Sequence, residues 1–255
     1  MDAIQTRSTS GETMGSLGAK VATSISLVLP MFNESPCVDE TLSRAVAILQ
    51  RRFADFEVVV ADDGSTDGSA DQVAEWARRD HRIKLVRLLR NQRFGGALRA
   101  GLGATQNELL FYTDFDLPID LNVLPRLLDD FAAADILTGY SAVEAKHVNW
   151  RQRVVSFGYN FLVRSLFGLR LRDINFGFKA IRRSCWSRLA LRSCSPFVDA
   201  ELFIQAQRLG FRIKQVPVPF EQRRLGTSRI RRLDVIGATM LDMLRLRLAA
   251  RPPAD

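Results

Sequence analysis

The chain has 255 residues, 47% hydrophobic and 25% charged, which is enough apolar content to bury a substantial core and excludes disorder over most of its length. With 36 Lys plus Arg against 28 Asp plus Glu the formal charge is +8, so the partners it attracts are anionic: nucleic acid, an acidic membrane surface or a phosphorylated substrate. Three cysteines, Cys37, Cys185 and Cys194, fit neither a paired disulfide framework nor zinc-ligand spacing, which points to a reducing cytosol.

Residues 1–24, rich in Ser, Thr, Gly and Ala without an apolar run, read as a flexible tail and not as a secretory signal. Beyond them, short and nearly continuous apolar runs at 25–29, 56–60, 85–89, 109–112 and 136–138 alternate with amphipathic stretches. That is the pattern of strands covered on both faces in a mostly parallel α/β sheet flanked by helices. Val38, Leu42, Ala45, Leu49 and Phe53 keep helical spacing after the first strand, and Val73, Trp76 and Ala77 do so after the second. Leu124, Leu127, Leu128 and Phe131 predict a further helix over 121–131. The second half is less regular: an aromatic-rich helix over 154–167, a loop over 172–179, a helix near 199–209 and a strand over 213–218. Leu233, Ile236, Met240, Leu241, Leu244 and Leu248 close the chain at helical spacing, but Asp234, Asp242, Arg245 and Arg247 interrupt them, so this segment cannot span a bilayer. It reads as a packed C-terminal helix, with a basic amphipathic helix lying on a membrane surface as the competing reading.

Chemistry-bearing residues fall where these strands end, the edge at which open α/β sheets bind ligands. Thr113-Asp114-Phe115-Asp116 follows the fourth apolar run. On an extended backbone residues i and i+2 point the same way, so Asp114 and Asp116 could face one cation, and hard Mg²⁺ or Mn²⁺ takes such oxygens together with substrate phosphates. Alone, an Asp-x-Asp at a strand end is more often a solvated turn. Ala61-Asp62-Asp63-Gly64-Ser65-Thr66-Asp67-Gly68 joins the second strand to a helix: Gly64 permits a tight turn, and Ser65, Thr66 or Asp67 can cap the helix. An aspartate there can accept hydrogen bonds from a nucleotide base or ribose, against the plainer reading of a well-capped turn. Arg223, Arg224, Arg229, Arg231 and Arg232 crowd into ten residues without interleaved aromatics, and no nucleic-acid-binding motif accompanies them, which argues against nucleic acid as the partner.

Seven motifs in order resemble the inverting family-2 glycosyltransferases of GT-A fold, near the polyprenyl- and dolichyl-phosphate sugar transferases. They are Leu29-Pro30-Met31-Phe32-Asn33-Glu34, Asp62-Asp63-Gly64-Ser65, Arg90-Asn91 with Gly95-Gly96-Ala97 and Gly101, and Asp114-Phe115-Asp116. Asp173-Ile174-Asn175-Phe176-Gly177-Phe178-Lys179, Asp199-Ala200-Glu201-Leu202 and Arg223-Arg224-Leu225-Gly226-Thr227-Ser228-Arg229 complete the series. The resemblance implies a Rossmann-like GT-A domain over 25–229, followed by an amphipathic helix and tail over 230–255. It also implies that Pro30, Phe32 and Glu34 line a nucleotide pocket, that Asp62 or Asp63 holds base and ribose, and that Asp114 and Asp116 position Mg²⁺ or Mn²⁺ at a diphosphate. Arg223 and Arg229 would neutralise phosphate charge. Asp173 matches the aspartate ahead of the Gly-Phe-Lys/Arg element and is the first candidate for a base, with Asp199 and Glu201 as second choices. An acceptor that is already an anionic phosphate needs little activation.

The function so implied is transfer of a hexose from a UDP- or GDP-hexose to an acceptor, foremost a polyprenyl phosphate, by a cytoplasmic protein associated with the inner face of the membrane. The alternatives are a soluble transferase acting on a glycan or small molecule, and a catalytically idle nucleotide-sugar-binding subunit. Three positions depart from the pattern. Pro118 stands where many relatives carry Gln or Ser, with Asp120 nearby; Ser141 stands where an arginine is common; and Arg229 replaces lysine.

Overall fold

A computed structural model describes residues 20–141, 150–219 and 233–249. The tail at 1–19 and the motif containing Arg223 and Arg229 lie outside the described residues. Seven strands form one sheet in the order β3-β2-β1-β4-β6-β5-β7: β1 (Ile25–Met31), β2 (Phe56–Asp62), β3 (Ile83–Arg87), β4 (Leu109–Tyr112), β5 (Ile136–Ser141), β6 (Lys179–Arg182) and β7 (Ile213–Val218). Only β6 runs against its neighbours, pairing antiparallel with both β4 and β5. The carboxyl ends of β1, β2, β4 and β5 therefore share one edge.

All seven residues of β2 are buried, and in β1 only Pro30 is partly open. Alternate residues feed two cores, as the strand period of two requires. Leu27, Leu29, Val58, Val60 and Phe111 join the core under α1 (Val38–Arg52) and α2 (Ser69–Arg79). Val28, Val59, Leu110 and Tyr112 join the opposite core. That second core is covered by α3 (Arg93–Gly103), α5 (Trp150–Phe167), α7 (Val198–Arg208) and α8 (Leu233–Ala249), which contribute Leu98, Val163, Phe203 and Met243. The short α4 (Leu124–Leu127) and α6 (Arg183–Trp186) complete the helices of the described residues.

The helix expected over 121–131 is broken into a 3-10 turn, the four residues of α4 and a second 3-10 turn. Pro125 lacks the N–H that a continuous helix needs there. The third strand spans 83–87 instead of 85–89, because the chain leaves the sheet after Arg87 and Leu89 is fully exposed. Neither β6 nor α3 follows from apolar periodicity.

The loop at 191–195 ties three helices together. Glu201 Oε2 accepts the amides of Arg192 and Ser193 at 3.0 and 2.7 Å, and Asp242 Oδ2, from α8, accepts those of Cys194 and Ser195 at 3.1 Å each. The Cys194 carbonyl in turn accepts from Gly95 N at 2.8 Å. A β-carbon on Gly95 would sit 2.3 Å from the Ser193 carbonyl oxygen, so only glycine admits this contact. The Gly95-Gly96-Ala97 segment is thus a close-packing element.

Candidate active site at the carboxyl edge of the sheet

The loops after β1 and β2 are stitched to one another. Asn33, in the left-handed region at φ 52°, donates its amide to Ser65 Oγ at 2.8 Å, and its Oδ1 accepts from Thr66 N at 2.8 Å. Ser35 N donates to Asp67 Oδ2 at 3.0 Å, while Asp67 Oδ1 accepts from Ser69 N at 3.0 Å and so supports the start of α2. Pro30, Phe32 and Glu34 occupy the β1 side of this structure, each half-buried.

Asp62 and Asp63 lie at its base. Asp62 is wholly buried and accepts from Ser65 N at 3.1 Å, with Arg87 Nε 3.9 Å away. Asp63 Oδ1 accepts from Gln92 N at 2.6 Å, which links the β2 loop to the entry of α3. Burial pushes the Asp63 carboxyl up to about 6, against the pull of the Gln92 and Arg93 amides and with help from the neighbouring Asp62 charge.

Asp114 and Asp116 do not continue β4, so the extended-strand argument for their convergence does not apply. The strand ends at Tyr112, and the two aspartates sit in a turn closed by Leu117 N donating to the Asp114 carbonyl at 3.1 Å. Leu117 adopts φ 47°, a strained conformation for a bulky residue. Phe115 plugs into the core between the two carboxylates. On one side, a β-carbon on Gly177 would come within 3.3 Å of Asp114 Oδ2 and 3.7 Å of Pro118, so the carboxylate packs closely where glycine has no side chain. On the other, the Cys37 thiol is raised by burial and then by the charges of Glu34 and Asp116, which places both carboxylates around it.

Two carboxylates on one turn, hard oxygen donors, suit a divalent cation that takes its remaining ligands from substrate. Among the described residues no group of three or more His, Cys, Asp or Glu is arranged to hold a metal unaided. Asp120, the neighbour of Pro118, uses its Oδ1 to accept from Asn122 N at 2.9 Å and caps the following turn.

Asp173 is half-buried in the loop ahead of β6. Burial raises its carboxyl above the ordinary range, the Lys179 charge and the Asn175 amide pull it back, and the Asp199 charge raises it again. Asp199 itself lies deeper, bonded to Lys179 and Tyr112. Glu201 is spent on the 191–195 loop. Next to Asp173, Arg164, Arg170 and Arg172 line an open cavity of about 450 Å³ with Gly168, Leu169 and Leu171. Arg172 stacks on Tyr140, near the carboxyl end of β5, at 4.9 Å. Sequence reasoning passed over these three arginines: Arg164 fell within the expected helix over 154–167, and Arg170 and Arg172 precede the Asp173–Lys179 motif.

A mostly parallel sheet with aspartate pairs at its carboxyl edge and one reversed strand beside them is the GT-A arrangement. The chain belongs to glycosyl transferase family 2, whose description matches residues 26–189. Over 233 residues it is 30% identical to an undecaprenyl-phosphate mannosyltransferase of Micrococcus luteus, covering 88% of this chain and 94% of that one. It is also 30% identical, over 211 residues, to an undecaprenyl-phosphate 4-deoxy-4-formamido-L-arabinose transferase of Edwardsiella ictaluri, covering 80% and 62%. Among solved structures, glucosyl-3-phosphoglycerate synthase from Mycobacterium tuberculosis, in complex with Mn²⁺, uridine diphosphate and glucosyl-3-phosphoglycerate, aligns with a TM-score of 0.65. The alignment spans 91% of this chain and 82% of that one at 20% identity, a likeness of fold.

Proposed function

We propose that this glycosyltransferase moves a hexose from a UDP- or GDP-hexose to a polyprenyl phosphate at the cytoplasmic face of a membrane. The observation that carries the reading is the placement of the Asp114–Asp116 turn at one sheet edge, between the Asp62–Asp63 loop and the Asp173 segment. The lipid-phosphate transferases it resembles in sequence support the choice of acceptor. Pro30, Phe32 and Glu34 flank the nucleotide, and Asp63 or Asp62 accepts hydrogen bonds from its base or ribose. Asp114 and Asp116 hold Mg²⁺ or Mn²⁺, which when bound offsets charge on the departing diphosphate.

An acceptor phosphate oxygen forms the new bond to the anomeric carbon as the bond to the nucleoside diphosphate breaks, with inversion at that carbon. The attacking oxygen is already anionic, so no proton need be removed. For a hydroxyl acceptor Asp173 takes the proton, and a carboxyl raised by burial is a stronger base than an ordinary one. Arg170 and Arg172, on a loop that Arg164 holds through the Leu171 and Arg172 carbonyls, would meet the acceptor phosphate alongside Arg223 and Arg229, which lie outside the described residues.

The surface of the second half supports a lipid partner. Ile236, Met240, Leu244 and Leu248 stand at four-residue intervals on α8, all exposed. Phe157 and Phe161 on α5 are exposed and stacked, with centroids 6.4 Å apart. No helix of the described residues is long and apolar enough to cross a membrane. Apolar side chains on a chain of charge +8 suit shallow insertion into an anionic bilayer.

The test is incubation with labelled UDP- and GDP-hexoses, Mn²⁺ and polyprenyl phosphate in anionic vesicles. Label recovered in chloroform is the expected result. Label found only in aqueous product rejects the lipid acceptor.

A further inference from the structure

Beneath the Asp114 turn lies a buried ion pair that the transfer chemistry does not use. Asp199, in the first turn of α7, is 4% exposed, and Lys179, at the start of β6, is 1% exposed. Lys179 Nζ donates to Asp199 Oδ2 at 2.5 Å, and the Tyr112 hydroxyl donates to Asp199 Oδ1 at 2.6 Å. Tyr112 and Lys179 are partners across the antiparallel β4–β6 ladder, with Lys179 Nζ 5.4 Å from the Tyr112 ring centroid. One helix-borne carboxylate therefore grips the last residue of β4 and the first of β6. The adjoining residues build the site: Thr113 Oγ1 donates to the Gly177 carbonyl at 2.6 Å, and Asp114 lies against Gly177.

We propose that Asp199 is a positioning residue that, through Lys179 and Tyr112, holds Asp114 against Gly177, and that it does not accept the proton in transfer. The proposal rests on the reading of Asp114 and Asp116 as ligands of a cation and diphosphate. A carboxylate with both oxygens bonded inside the protein is a poor base, because protonating it strands the Lys179 charge in a buried site. A fully satisfied buried pair also enforces a single arrangement of the elements that carry it.

Removing Lys179 separates the two roles. Full-length protein carrying Asp199→Asn, Lys179→Met or both is compared with wild type in three measurements. These are melting temperature without ligand, calorimetric binding of Mn²⁺ with UDP or GDP, and transfer at saturating donor. Each single substitution strands a buried group, so each is expected to lower the melting temperature and weaken Mn²⁺-nucleotide binding at least tenfold. The double variant is expected to recover binding and kcat to within tenfold of wild type, a strongly non-additive cycle.

A proton acceptor behaves otherwise. Asp199→Asn would then lose kcat at unchanged Mn²⁺-nucleotide affinity, Lys179→Met would keep its rate, and the double variant would stay as inactive as Asp199→Asn; that pattern overturns the proposal. Where a single variant fails to fold, the double variant decides by the same two criteria. If wild type binds neither nucleotide, the functional reading falls, and the pairing is judged on melting temperature alone: recovery in the double variant supports it, and additive loss overturns it.

Discussion

The loops after β1 and β2 and the junction of β4 with β6 deliver aspartates to the same sheet edge by opposite constructions. In the first region the links are single hydrogen bonds between side chains and backbone, Asn33 to Ser65 and Thr66, and Ser35 to Asp67, on partly exposed loops. In the second the central links are buried, Asp199 with Lys179 and Tyr112, and Thr113 adds a partly buried bond to Gly177. Exposed single bonds are each worth about 1 kcal/mol and let a loop adjust around a ligand. A buried network sets its geometry before any ligand arrives. Damage to the loops should therefore weaken nucleotide binding with little effect on turnover at saturation, and damage to the junction should weaken Mn²⁺-nucleotide binding and turnover together.

The sharpest way to break that contrast is Asp116→Asn, expected to lower transfer by about 10²–10³-fold, the scale of losing one preorganised charge contact. Its melting temperature should hold within a few degrees, because no cavity opens. Gly177→Ala comes next: its β-carbon would crowd Asp114 Oδ2, and Mn²⁺-nucleotide binding and kcat should each fall about tenfold, consistent with a preset junction. Asn33→Ala removes the bond from Thr66 N and puts alanine in a left-handed conformation, so it should cost about 2 kcal/mol of stability and show itself in KM more than kcat.

The smallest effect expected is on pH. Asp63 is protonated below about 6 and charged above it, so nucleotide affinity should rise several-fold from pH 5 to 7 and then level off. Asp63→Asn should flatten that profile. The same group binds more protons folded than unfolded between the ordinary aspartate range and about 6, so its contribution to stability falls as pH rises through that window.

Where an apolar run is buried on both faces, the strand was legible, as in β1, β2, β4 and β5. β6 was not, because Lys179-Ala180-Ile181-Arg182 begins and ends on charge. Lys179 enters the core only with Asp199 as its counter-charge, a pairing 20 residues apart that no periodicity reveals. Nor was α3: its glycines at 95, 96, 101 and 103 argue against a helix, and packing on β1 and β2 overrides that weak local preference. The aspartates of the site were legible as types and positions. How Asp114 and Asp116 are presented was not, because a left-handed Leu117 reshapes the turn after the strand.

Asp242 turns the choice of a C-terminal cut into a question about the nucleotide side. A protein shortened ahead of residue 233 would uncover the amides of Cys194 and Ser195 and empty the socket of Met243 in one stroke. The loosened loop would no longer seat Gly95, and α3 enters that contact directly after Gln92, whose amide holds Asp63. The helix that shows the most grease to solvent is also the buttress of the 191–195 loop, so trimming it for solubility should blunt nucleotide binding as well.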